Sequence, residues 1–308
     1  MDAKRIGMLV GRERSFPNAL ISEIHRRDSN ASAEFANVDI TRIDQAMPYS
    51  VVLDRISHEV TCYQPYLKFA AIRGAWVVND PFWRIADDKF FNTALCAKLG
   101  VAVPRTALLP SKSYGPDTSA ETLHNLAHPL SWQAMADSLG FPMYIKPHWG
   151  GGWRDVYRVE SPEELMRVYD KTGTLTMIAQ QAIHWTQYVR CIVIGRENVR
   201  PALWDPRLSH FDRYAKAAEQ MEPLSPSLEA RVIDQARAIC RGLAYDMNTV
   251  EFAIADGVPY AIDMMNSAPD FDITSLGEEH FQWTVSQMAS LLVELAHTAR
   301  PEREVWGR

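Results

Sequence analysis

Three groups of residues have types and spacing suited to chemistry. The first is YIKPHWGGGWRDVYRV, residues 144–159. Lys146 lies on an apolar run that enters three consecutive glycines, Gly150, Gly151 and Gly152, and the chain then returns to strand-like residues. Three glycines cost backbone entropy on ordering, so a fold uses them where side chains cannot be tolerated. One such place is a loop over phosphates, donating backbone N–H groups, with a lysine as a nearby point charge. The alternative is a flexible hairpin tip with an exposed lysine. No G-K-[ST] follows the glycines, so the pattern is not a P-loop.

The second group is VEFAIADGVPYAIDMMNSAPDFD, with Glu251 on one strand, Asp263 on the next and Asn266 three residues later. Two carboxylates and an amide oxygen form an all-oxygen set that suits Mg²⁺. The plainer reading is solvated edge carboxylates, but Asp263 follows the buried-looking YAI, where an unpaired carboxylate would be costly. The third group is cationic. Lys89 stands near a helix start, where the dipole opposes it. Arg190 lies in QYVRCIVIG, where a lone arginine is more often an ion-pair partner. WDPRLSHFDRY at 204–214 brings Arg207, His210, Arg213 and Tyr214 into one polar loop, suited to an anionic substrate or to solvent. His124 and His128 are four apart, but no H-E-x-x-H glutamate accompanies them and Pro129 follows. Cys191 sits in an apolar strand and reads as packing.

Alternating elements must position these groups. RIGMLVG, YSVVLDRI and AWVVND read as strands, separated by helices at PNALISEIHRR and QPYLKFAAIRG, which implies a parallel sheet covered by helices. No G-x-G-x-x-G follows the first strand. A short helix DDKFFNTALCAKLG and a strand VAVPRTALL come next, then a polar insertion at 111–131 and a helix SWQAMADSLG. After the glycine hairpin, SPEELMRVYDKTG is a helix with a capping box from Ser161 and Glu164. TMIAQQAI and YVRCIVIG are strands, LSPSLEARVIDQARAICRGL is an amphipathic helix, and Asp256-Gly257 turns one strand onto the next. A last helix starts near Glu278.

The chain has 308 residues, 47% hydrophobic, enough for a sizeable core and one or two domains. A net charge of −6 argues against nucleic-acid or membrane-surface binding. No apolar run is long enough for a bilayer, and the charged N-terminus does not read as an export signal. Cys62, Cys96, Cys191 and Cys240 form no C-x-x-C pair and read as reduced thiols of a cytoplasmic protein.

The order of these pieces resembles the ATP-grasp superfamily of carboxylate–amine ligases, more like bacterial glutathione synthetases and ribosomal-protein glutamate ligases, with D-alanine–D-alanine ligases further off. The resemblance rests on VVNDPFWRIADDKFFNTALCAKLGVAVPRT, FPMYIKPHWGGGW, MIAQQAI, Arg190 and the DMMN segment, and runs over nearly the whole chain. It implies an α/β (α+β) ATP-grasp fold: an N-terminal domain at 1–85, a central subdomain with the glycine lid at 86–175 and a C-terminal metal-bearing subdomain at 176–308. It implies that ATP is held by Lys89, Lys146, Gly150, Gly151, Gly152, Trp153, Gln180, Gln181, Ile183, Gln187 and Arg190. Glu251, Asp263 and Asn266 would bind Mg²⁺, as two ions, with Mn²⁺ a substitute. Arg190, Arg207 and Arg213 would act on the acyl phosphate, and Arg55, Arg207 and Tyr214 on substrate. The activity implied is ATP-dependent joining of an amino-acid or peptide carboxylate to an amine. The alternative is a catalytically weak or inactive nucleotide-binding relative. Small-molecule or peptide substrates are expected, with no nucleic acid or membrane, in a homodimer or homotetramer. Two departures stand out. DMMN replaces the usual E-x-N, so either a bulge restores Asn266 to the metal or the site is weaker. HWTQYVR offers Gln187 and Tyr188 where an acidic ribose contact is usual.

Overall fold

The computed structural model describes residues 3–83, 88–119 and 121–300. The first sheet is parallel throughout, in the order β2 (Ala31–Phe35), β1 (Lys4–Leu9), β3 (Val51–Asp54), β4 (Trp76–Val78). Helix α2 (Tyr63–Ile72) covers one face through Leu67, Ala70 and Ala71. Helix α1 (Ser15–Arg27) covers the other, burying Phe16, Leu20 and Ile24. Strand β2 has no counterpart in the sequence reading. Its residues, ASAEF, include no branched apolar run.

The central sheet is antiparallel, in the order β5 (Thr106–Leu109), β8 (Met177–Gln181), β6 (Met143–Pro147), β7 (Tyr157–Val159). Helices α4 (Trp132–Leu139) and α5 (Pro162–Tyr169) pack on it, burying Leu139, Leu165 and Val168 against Met143, Ile145 and Ala179. The Ser161 hydroxyl caps α5 by accepting from the Glu164 N–H at 3.3 Å. The return arm of the expected capping box shifts by one residue, since the Glu164 carboxylate accepts from the Glu160 N–H at 2.9 Å.

The third sheet is also antiparallel, in the order β10 (Asn198–Leu203), β9 (Gln187–Ile194), β11 (Met247–Ala255), β12 (Val258–Asp263). Strand β10 is unread in the sequence because of Arg200 and Pro201, and it sits at the sheet edge, where proline is tolerated. Two short helices, α6 (Ala215–Gln220) and α8 (Ile273–Leu276), flank the sheet. Helix α7 (Pro226–Leu243) buries Val232, Ala236 and Ile239 on one sheet face. Helix α9 (Glu278–His297) lies on the other, and its Phe281, Val285, Met288 and Leu292 share one core with Ile6, Met8 and Leu53 of the first sheet.

Two expected boundaries change or go untested. Strand β8 belongs to the central sheet, so the boundary expected at 175/176 moves beyond Gln181. The boundary expected at 85/86 lies outside the described residues. Helix α3 (Lys89–Lys98) also packs with the C-terminal core, through Cys96, and the Ala102 carbonyl accepts from the Ala261 N–H at 2.9 Å. Only residues from Thr106 onward of VAVPRTALL join the central sheet.

Among the described residues no helix is long and apolar enough to cross a membrane. Cys96, Cys191 and Cys240 are buried, and burial pushes all three thiols up, Cys96 to about 12. Only Cys62 is exposed. Titration of the native chain with an aromatic disulfide reagent should therefore release one fast thiol equivalent, abolished by Cys62→Ser, with the others reacting only on unfolding.

Candidate active site

Residues alternate across β9 and β11. Val189, Cys191, Val250 and Phe252 enter the core under α7. Tyr188, Arg190, Thr249 and Glu251 therefore take the opposite face. There the Arg190 Nη2 donates to Thr249 Oγ1 at 3.1 Å, and its Nε lies 3.6 Å from Glu251 Oε1. The Tyr188 hydroxyl donates to Glu251 Oε2 at 2.9 Å. Burial raises the Glu251 carboxyl, Arg190 opposes this and Asp263 adds to it.

The β11–β12 pairing slips by one residue here. Phe252 pairs with Ala261, but Glu251 pairs with Asp263. The bulged Ile262 is the cause; in a regular ladder it would face Glu251, and with the bulge the two carboxylates oppose one another. A bulge was one expected outcome for DMMN, but it lies before Asp263 rather than after it. Met264 and Met265 are buried. The Asn266 N–H donates to Asn248 Oδ1 at 2.7 Å, and Asn266 Oδ1 accepts from the Ala268 N–H at 3.3 Å. Among the described residues no three His, Cys, Asp or Glu side chains form a metal cluster. Two opposed, partly desolvated carboxylates nevertheless fit a divalent cation, which would relieve their mutual repulsion.

The central sheet supplies the facing cations. Ile145 enters the central core, so Lys146 points to the other face, beside Ile178. Desolvation lowers the Lys146 ammonium to about 8; Asp263 and Glu251 act upward on it and Lys89 downward. Lys146 thus lies within electrostatic reach of Glu251, Asp263 and Lys89. Lys89 opens α3, where the Asp88 carboxylate caps the N–H groups of Phe90 and Phe91 at 2.8 and 3.0 Å. Asp88 also pairs with His148 Nδ1 at 3.1 Å, and the Lys89 N–H donates to the His148 carbonyl at 2.9 Å. These contacts fasten the helix start to the hairpin, and the Lys89 ammonium donates to the Gly150 carbonyl. The Asp88–His148 pair had no sequence signal, because 60 residues separate its members. Gly150 and Gly152 have φ of +97° and +72°, which only glycine adopts easily. A Cβ on any of the three glycines would meet nothing within 4 Å. Trp149 and Trp153 are exposed beside them.

Several expected residues already hold protein partners. Gln180 donates to Thr106 Oγ1 at 3.1 Å, Gln181 accepts from Arg105 at 3.1 Å, and Gln187 donates to the Glu222 carbonyl at 2.6 Å. Ile183 packs at the edge of the shared core. Arg207 pairs with Asp205 at 2.6 Å and stacks 4.2 Å from the Trp185 ring centre. Arg213 lies 5.2 Å from the Trp204 ring, the ring that Arg190 approaches to 5.1 Å from its own strand. Tyr214 is buried beside Arg190. His210, in the same loop, is pinned by Asp270 at 2.9 Å and Ser275 at 3.0 Å. His124 is exposed, and its Nδ1 meets the Glu121 carbonyl at 2.9 Å.

A cavity of about 110 Å³ adjoins the lid, lined by Asp54, Ser57, Gln64, Lys68, Trp149 and Ser267 among others. No motif marks these residues, which come from four separate segments.

Arg55 corrects the sequence reading. It was expected to face the cleft and touch substrate. Instead it is 7% exposed, forked onto Glu13 at 2.6 and 2.9 Å, bonded to the Pro269 carbonyl at 2.6 Å, and stacked on Phe16 and Phe271. It clamps the first sheet to the segment after β12. Arg55→Met leaves Glu13 without its partner and should cost about 3–5 kcal/mol of unfolding free energy, read by urea denaturation.

No protein-family model matches the chain. A D-alanine–D-alanine ligase of Ralstonia nicotianae is 27% identical over 198 residues, 56% of this chain and 59% of that enzyme. The chain therefore matches less than two thirds of that relative's length. A RimK-domain ATP-grasp protein from Sphaerobacter thermophilus superimposes with a TM-score of 0.64 at 16% identity, over 94% of this chain and 99% of that one. A D-alanine–D-alanine ligase from Bacillus anthracis, solved with ATP, does so with a TM-score of 0.60 at 17% identity, over 96% and 97%. On these superpositions the chain has the ATP-grasp fold.

Proposed function

We propose that this chain is an ATP-dependent ligase that activates a carboxylate as an acyl phosphate and joins it to an amine. One observation carries the reading: the opposed Glu251–Asp263 pair acts on Lys146 from the neighbouring sheet, together with Lys89, which is bonded to the glycine hairpin at the Gly150 carbonyl. Carboxylates on one wall and ammonium groups on the other suit a triphosphate bridged by a cation. The likeness in sequence to D-alanine–D-alanine ligase supports the same class.

In this reading a carboxylate oxygen attacks the γ-phosphorus and the bond to ADP breaks. The amine nitrogen then attacks the acyl carbon, the C–O bond to phosphate breaks, and the amine gives up a proton to solvent. Such transfer asks the protein mainly for positioning and charge. Lys146, Lys89 and Arg190 hold the triphosphate oxygens, with Lys89 exchanging the Gly150 carbonyl for phosphate as the lid closes. Two Mg²⁺ ions, or Mn²⁺ in their place, held by Glu251, Asp263 and Asn266, would offset the charge that builds on the transferred group. Gly150, Gly151 and Gly152 donate N–H groups, and Trp153 helps keep water from the acyl phosphate. Gln180, Gln181 and Ile183 border the adenine, and Gln187 stands where the ribose falls. Arg213 and Tyr214 serve the acyl phosphate and substrate. Arg207 contributes less, since Asp205 already matches its charge. The small cavity beside Trp149 receives substrate. Four cysteines with no disulfide among the described residues fit a reducing, cytoplasmic setting.

Calorimetric titration with a non-hydrolysable ATP analogue should show magnesium-dependent binding. Glu251→Ala/Asp263→Ala should remove that dependence. No binding by the wild-type chain, with or without magnesium, would overturn the reading. Hydroxylamine added during turnover with a candidate acid should yield a hydroxamate, the signature of an acyl phosphate.

A further inference from the structure

Two buried groups beside the cleft, Trp204 Nε1 and the Tyr214 hydroxyl, meet no hydrogen-bond acceptor at bonding distance among the described residues, and a third, Arg190 Nε, has only its 3.6 Å ion pair with Glu251. Trp204 is 3% exposed and Tyr214 6%. Buried polar groups are rarely left unsatisfied, and each one calls for an explanation. These three gather around one guanidinium. Arg190 lies 5.1 Å from the Trp204 ring centre, and its guanidinium is near enough to the Tyr214 phenol to oppose the effect of burial by charge and by donating to the phenol oxygen, which leaves the phenol's own O–H to find an acceptor. Arg213 approaches the same indole from the loop side, at 5.2 Å.

The surroundings decide which charge these donors would favour in a ligand. The indole N–H and guanidinium N–H only donate, and the phenol is kept protonated by burial. The carboxylates whose charges reach Arg190 are Glu251, Asp263 and Asp270. Glu251 and Asp263 are the proposed cation ligands, and Asp270 is paired with His210. A set of donors around two arginines, next to a cation site, suits a tetrahedral oxyanion. The sheet geometry brings it close to the chemistry. Arg190 and Glu251 are direct partners across β9 and β11, and the backbone N–H of Trp204 continues the pairing of β10 with β9 by donating to the Tyr188 carbonyl at 2.9 Å.

We infer that Trp204 Nε1 and the Tyr214 hydroxyl join Arg190 in binding the phosphoryl group as it leaves ADP, and later as free phosphate. The inference rests on the proposed ligase reading and extends it: Trp204 gains a role that its burial in the core would hide. Trp204 reaches this position because β10 ends at Leu203 and the chain folds back over the sheet face.

The test uses the full chain loaded with ADP and magnesium, titrated calorimetrically with inorganic phosphate. Trp204→Phe keeps an aromatic ring for Arg190 and Tyr188 and removes the N–H. Tyr214→Phe removes one oxygen. Each should weaken phosphate binding by about tenfold, the usual effect of losing one hydrogen bond to a charged group, with ADP affinity unchanged. Unchanged phosphate affinity in both variants would overturn the inference and assign the donors to buried water. Wild-type chain that binds ADP but not phosphate would overturn it too, while leaving the nucleotide site standing. Wild-type chain that binds neither would remove the ligase reading and this inference with it. If Trp204→Phe does not fold, Tyr214→Phe carries the test.

Discussion

Everything in the cleft follows from two carboxylates held face to face. Glu251 and Asp263 are brought opposite one another by the extra residue at Ile262. Like charges in a poorly solvated place are unfavourable unless something positive comes near. The fold answers from three directions: Arg190 from the neighbouring strand, Lys146 from the facing sheet and Lys89 from a helix start. Of these only Arg190 makes an ion pair with the carboxylates, its Nε 3.6 Å from Glu251. Burial raises the Glu251 carboxyl to about 7, and a divalent cation brought to the pair would oppose that rise.

Building such a face requires a sheet that tolerates charge on one side only. Strands β9 and β11 achieve this by alternation, with cysteine, valine and phenylalanine under α7 and arginine, threonine and glutamate on the other side. The aromatic residues Trp185, Tyr188 and Trp204 then line the polar side, their ring centres 5.2 and 5.6 Å apart in sequence along the row. Aromatic faces accept guanidinium groups without demanding a counter-ion. Arg190, Arg207 and Arg213 can therefore crowd together on one surface.

Much of this was legible in the sequence, and the failures are local. Long periodic segments such as α7 and α9 announce themselves through spacing, and Gly74, Gly100 and Gly140 mark helix ends with φ of +93°, +77° and +73°. The hairpin, the carboxylate pair and the lysines were visible as residue types in order. Strand β2 was not, because small residues on a short parallel strand carry no periodic signal. Arg55 misled for a different reason: its place at a strand end says nothing of Glu13, Phe16 and Phe271, which arrive from distant segments to enclose it. The cavity beside Trp149 and the unpaired donors of Trp204 and Tyr214 share that property. They exist only once separate parts of the chain are packed together.

The sharing of helix α9 sets how the molecule can move. Its apolar face belongs to one continuous core with the first and third sheets, so those two behave as a single block. The central sheet has a core of its own and joins the block through loops and through the Asp88–His148 and Lys89 contacts. Opening the cleft is then a swing of one arm against a fixed base, with Lys146 on the arm and the carboxylates on the base. The chain crosses between arm and base at residues 99–105 and 182–186, and the Asp88–His148 pair and the Lys89 bond to the Gly150 carbonyl hold the two together at the hairpin.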